Sequence, residues 1–169
     1  MLEDEIYREK IPFPVMKLVV AVMVAFTLLF LGLFLYQLLV GPIGENPAPN
    51  WCFLVMFLIF TVINVVIFNF RELTISITPG SLRVAYGRIS YVIAWDNVAD
   101  CYLDKNPGMA YGGWGIRIGR TAGKSVLVYN VMSTPCITLT LKRGRFAQFA
   151  FSTRQPEELM GIVQQRIGK

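Results

Sequence analysis

Residues 18–40 read LVVAVMVAFTLLFLGLFLYQLLV and residues 51–70 read WCFLVMFLIFTVINVVIFNF. Neither run contains a lysine, arginine, aspartate or glutamate. At about 1.5 Å per helical residue they extend roughly 35 Å and 30 Å, enough to cross a hydrocarbon layer of about 30 Å. They predict a transmembrane helical hairpin, with spans at about residues 16–40 and 51–70. From Arg71 onward the pattern changes to short alternating segments and turns. The expected organisation is an N-terminal tail and hairpin over residues 1–70, followed by a soluble domain over residues 71–169.

Composition agrees with that division. Hydrophobic residues make up 54% of the chain and charged ones 16%, against about a quarter charged in an average globular protein. The bias is concentrated in the two runs, and the roughly 100 residues after them suit one independently folding domain. All but three (Arg8, Lys10 and Lys17) of the 16 lysines and arginines lie from Arg71 onward, and the connecting loop, residues 41–50, has none. Basic residues are retained on the cytoplasmic side, so both termini and the domain are expected inside a cell (inner or plasma) membrane, as a multi-pass protein. A cleavable leader fits poorly, because the tail begins Glu3-Asp4-Glu5 and the first run far exceeds a signal-peptide core.

Histidine is absent and cysteine occurs three times, at Cys52, Cys101 and Cys136. The first fact removes Ser-His-Asp and Cys-His catalysis and histidine-ligated metals from within this chain. The second gives no Cys-x-x-Cys spacing, and buried free thiols are expected. No cofactor or metal ligand set can be assembled, and no enzymatic activity is expected.

Within the spans, Asn64 needs a hydrogen-bond partner in hydrocarbon, supplied by the first helix or by another subunit. Gln37 is expected near the outer interface. In the tail, Pro12 and Pro14 suggest either a short interfacial segment with Tyr7 and Phe13 near headgroups or a loosely ordered stretch.

Beyond Arg71 the period becomes two. Leu73, Ile75 and Ile77 alternate with polar residues, Pro79-Gly80 turns the chain, and Leu82, Val84 and Tyr86 continue it, which predicts a hairpin. Further strands are expected at 91–95, 98–103, 115–119, 125–130, 136–141 and 146–151. So many short strands favour a closed or strongly bent antiparallel sheet. A terminal helix begins at Pro156, with Glu157 and Glu158 at its positive end and Leu159, Ile162, Val163 and Ile167 along one face. It is expected to plug one end of a barrel.

Several short segments resemble those of pleckstrin-homology-like (PH-like) domains. They are Thr78-Pro79-Gly80-Ser81-Leu82, Ile93-Ala94-Trp95-Asp96-Asn97-Val98, Gly112-Gly113-Trp114-Gly115-Ile116-Arg117, and Ser152-Thr153-Arg154-Gln155-Pro156-Glu157-Glu158-Leu159. With the preceding spans, the chain looks like prokaryotic membrane-anchored PH-domain proteins of largely unknown function; Ala94 departs from the usual proline. The resemblance implies an α+β protein: a transmembrane hairpin, then a PH-like antiparallel barrel or sandwich of about seven strands capped by the C-terminal helix. It carries no catalytic residues, and implies a binding or scaffolding module at the inner membrane face.

The candidate contact residues are basic. Lys142, Arg143 and Arg145 crowd one hairpin tip, and Arg117, Arg120 and Lys124 could extend them into a positive face for anionic phospholipid or an acidic protein. Gly112, Gly113, Gly115 and Gly119 match neither a dinucleotide fingerprint nor a P-loop, and predict a glycine-rich hairpin. Asp96, Asp100 and Asp104 do not converge on a strand-loop-strand segment. The expected partners are the lipid bilayer, anionic phospholipid, and a membrane-protein partner or homo-oligomer. No nucleic acid is expected, since basic flanks beside membrane spans already follow from topology. The alternative function is an accessory subunit of a larger membrane complex, with the hairpin as its interaction surface.

Overall fold

A computed structural model of the chain describes residues 5–104, 112–121 and 123–167. They form an α+β protein of two units, one helical over residues 14–71 and the other built from residues 5–13 and 72–167.

The helical unit contains α1, Pro14–Leu39, and α2, Asn50–Phe68. Both are long and apolar enough to cross a membrane. They pack against each other through stacked rings, with Phe60 lying 5.4 Å from Phe26 and 5.3 Å from Phe30. Neither helix buries a single residue fully, so their apolar flanks, such as Leu28, Leu39, Val62 and Val65, stay bare. Gln37 Nε2 donates to the Ala48 carbonyl at 2.6 Å and to Asn50 Oδ1 at 2.7 Å, tying the connecting loop to α1. A 3₁₀ turn, Asn69–Arg71, closes α2, and the Arg71 guanidinium lies 4.2 Å above the Phe68 ring.

The strand-rich unit holds two sheets. The first has the order β1-β2-β3-β4, all antiparallel, from Tyr7–Pro12, Glu72–Ile77, Ser81–Tyr86 and Ile89–Ala94. The expected hairpin is present as β2 and β3, and the Thr78 N–H and Ser81 carbonyl close its turn at 2.9 Å. The second sheet has the order β5-β8-β9-β7-β6, from Val98–Leu103, Cys136–Leu141, Gln148–Ser152, Lys124–Asn130 and Gly115–Thr121. Its pairs are antiparallel except β7 with β9, which run parallel. Aromatic rings fill the space between the sheets: Tyr86 lies 6.0 Å from Tyr129, and Tyr91 5.0 Å from Phe149.

Two expectations change here. The tail is not an interfacial segment, because residues 7–12 pair in full with β2, from Tyr7 opposite Ile77 to Pro12 opposite Glu72. Alternation explains it: Ile11 is buried, as is Phe13 just after the strand, while Glu5, Arg8 and Lys10 face water, a charged exterior suited to an edge strand. The tail thus joins the domain rather than the hairpin. Secondly, no closed barrel forms. The 3₁₀ turn Trp95–Asn97 carries the chain from β4 out of the first sheet, and β5 then pairs with β8. The terminal helix α3, Pro156–Ile167, accordingly packs along β5, with lighter contact to β8, and buries Leu159 and Val163.

Candidate functional site

The basic tip lies between β8 and β9 and is braced on both sides. On one side, the Asn97 carbonyl accepts the Lys142 N–H at 2.9 Å and Asn97 Oδ1 accepts the Arg143 N–H at 2.9 Å. The Arg143 guanidinium forms an ion pair with the neighbouring Asp96 carboxylate. On the other side, the Ser125 hydroxyl donates to the Arg145 carbonyl at 3.1 Å, and the Ala147 N–H donates to the Ser125 carbonyl at 3.0 Å. Gly144 at the apex has φ of +120°, a conformation that glycine adopts without strain. Arg145 leans over the Phe146 ring at 5.4 Å.

Ser125 also fixes which other cations join the tip. It is paired across the ladder with Arg120, and Lys124 adjoins it opposite Thr121. Arg120, Lys124, Lys142, Arg143 and Arg145 are therefore gathered at one end of the five-stranded sheet, all exposed. Arg117 is not among them. It lies three residues before Arg120 and so on the opposite face of β6, where a side chain at Gly113 would meet its guanidinium at 3.3 Å. Ile118, on the Arg120 face, is 64% exposed.

The remaining candidates have local duties. Asp96 pairs with Arg143, Asp100 Oδ1 accepts the Cys101 N–H at 2.8 Å, and the Thr138 hydroxyl donates to Asp104 at 3.5 Å. Gly115 opens a strand rather than a helix, and the Gly113 carbonyl accepts from Asn130 Nδ2 at 3.1 Å. Asn64 Nδ2 donates to Thr27 Oγ1 at 2.9 Å and to the Phe60 carbonyl at 2.9 Å, so its partner is the first helix. Its Oδ1 is enclosed without a partner among the described residues.

Sequence reading missed two clusters. One is the Asp96–Asn97 brace, whose only local signal is two polar side chains directly after the buried Trp95. That indole donates to the Thr78 carbonyl at 3.1 Å and anchors the 3₁₀ turn. The other is Glu9 on β1, which accepts from the Thr153 hydroxyl at 2.6 Å, the Arg154 N–H at 2.8 Å and the Tyr7 hydroxyl at 3.1 Å. It ties the N-terminal strand to the segment that opens α3. Burial and the Glu9 carboxylate push the Tyr7 phenol above its ordinary range.

No protein-family model, curated protein or solved structure matches the chain.

Proposed function

We propose that the chain is a membrane-anchored binding module whose braced basic end contacts anionic phospholipid headgroups at the cytoplasmic face. The observation that carries this reading is the convergence of five cations from three separate segments onto one sheet end. Only Arg143 among them has a carboxylate partner within the described residues. A basic side chain near an anionic leaflet contributes about 1 kcal/mol, so a rigid group of this size suffices for appreciable attraction. The two long apolar helices, and the contrast between their basic flanks and a loop without lysine or arginine, support membrane insertion with both termini inside. A strand-rich domain with a C-terminal helix supports the PH-like part of the reading, from which the parallel β7–β9 pair and the added strand β1 depart.

The accessory-subunit alternative rests on the hairpin. Asn64 bonds within it, which gives that amide an internal use and leaves the basic end as the better-supported contact.

The test uses the full chain held in nanodiscs of neutral lipid and mixed with sucrose-loaded vesicles containing phosphatidylglycerol. The parent protein is expected to sediment with the vesicles, and salt should weaken the attraction as the screening length shortens. Replacing Lys142, Arg145, Arg120 and Lys124 together by serine should remove most of the binding. Equal sedimentation of the parent and this variant overturns the assignment.

A further inference from the structure

Asp96 is an acidic group placed inside the cationic end of the sheet, and folding alone does not account for it. Its side chain is 65% exposed and that of Arg143 71% exposed, and ion pairs so open to water contribute little to stability. Yet the pair is held in register. Asn97 fixes the Arg143 backbone at 2.9 Å while its neighbour Asp96 meets the same residue's guanidinium. Trp95, buried directly before them, anchors the turn that carries both residues. Two consecutive side chains thus address one residue 46 and 47 positions away, a more determined arrangement than a chance meeting of flexible surface chains.

The electrostatic consequence follows from counting charges. Lys142, Arg143, Arg145, Arg120 and Lys124 supply five positive charges, and Asp96 cancels one of them. We propose that Asp96 is a specificity-determining residue that attenuates this surface, setting a minimum anionic lipid density below which the basic end does not engage the lipid surface. The inference rests on the lipid-contact reading above and adds its selectivity. With Asp96 in place the surface carries a net four rather than five positive charges, so its attraction at any given composition is weaker and a larger anionic fraction is needed for the same binding. A steeper response to lipid charge would come from more cations, whereas a higher threshold comes from one opposing carboxylate.

The experiment repeats the nanodisc and vesicle assay with graded phosphatidylglycerol in phosphatidylcholine. Asp96→Asn removes the charge and keeps an oxygen for the Arg143 hydrogen bond. It should bind about five-fold more tightly at fixed composition, since one charge near an anionic leaflet contributes about 1 kcal/mol. Its binding curve should move to lower phosphatidylglycerol content. Arg143→Ser should weaken binding by a similar factor, and the double variant should return to the parent's curve. Asp96→Glu, which retains the charge, should behave as the parent and controls for damage to the turn. Parent binding with Asp96→Asn unchanged or weaker overturns the attenuator and leaves lipid contact standing. If neither parent nor Asp96→Asn sediments at any composition, the lipid-contact reading falls, and the attenuator with it.

Discussion

Cys101 and Cys136 show how burial alone sets a side chain's chemistry. Both lie in the sheet interior, and loss of hydration pushes the Cys136 thiol up to about 11 and the Cys101 thiol up to about 12, from an ordinary value of 9.0. Neighbouring charge adds to this, from Asp104 at Cys136 and Asp100 at Cys101, while the Ser152 hydroxyl 3.3 Å from Cys136 Sγ opposes it. The sign of the linkage is fixed by which state ionises first. Above pH 9 the unfolded chain loses thiol protons that the folded chain keeps, so the stability they contribute is intact below that pH. It declines as pH rises through about 11 to about 12. Chemical denaturation of the strand-rich unit in the full chain should show its midpoint falling across that window, and serine at both positions should flatten the decline. An undiminished decline in the double serine variant would assign it to other groups, such as Tyr86 and Tyr129, whose phenols burial also raises. The thiols' free and buried state was legible from cysteine spacing. The partner of Asp96 was not, because sequence neighbours carry no record of a contact 47 residues away.

Strand ends were readable where apolar residues and turn formers mark them locally, and not where contacts far along the chain decide them. The expected bounds of β5 and β8 match the structure: in β8, Ile137, Leu139 and Leu141 alternate with threonines, whereas β5 buries Val98 and Cys101 three residues apart, across a bulge between Val98 and Asp100. β9 starts at Gln148 rather than Phe146, because Phe146 and Ala147 belong to the braced tip. β1 was hidden by Glu9, an inward-facing charge whose use depends on Thr153 and Arg154 far along the chain. The helix α3 was read correctly as amphipathic, yet its working stripe is narrower than periodicity implies: Leu159 and Val163 are buried, and Ile162 and Ile167 are only partly covered. Leu159→Ala should therefore destabilise the strand-rich unit by about 2–5 kcal/mol, as truncation of a fully buried leucine does. Ile162→Asp, whose carboxylate can turn toward water, should cost less. Thermal unfolding in non-ionic detergent, followed by near-ultraviolet circular dichroism, ranks the two, and the reverse order would mean that α3 docks through its other edge.

For the whole molecule, sheet closure was beyond the reach of pattern reading. Alternation marks which residues face a core, but whether a barrel closes depends on which edges pair, and here β4 and β5 separate at the Trp95–Asn97 turn. The same topology makes the strand-rich unit discontinuous in sequence, since β1 precedes the helices and β2 follows them. A fragment beginning at Arg71 would lack β1, leaving the β2 edge unpaired and the buried Thr153 hydroxyl without Glu9. An unpaired edge invites association, and a buried hydroxyl that keeps the Gln155 N–H but loses its own acceptor costs about 1–3 kcal/mol if that donor stays unsatisfied. The register offers a remedy. Pro12 lies opposite Glu72 in an antiparallel pair, so a short Asn-Gly turn replacing residues 14–71 should join β1 to β2 as an ordinary hairpin. That spliced chain should be monomeric, soluble without detergent and cooperatively folded, whereas the fragment from Arg71 should aggregate or melt at a distinctly lower temperature. Size-exclusion chromatography and thermal melts of the two proteins decide the matter. Equal stability would show that the N-terminal strand is dispensable and that its pairing adds nothing to the fold.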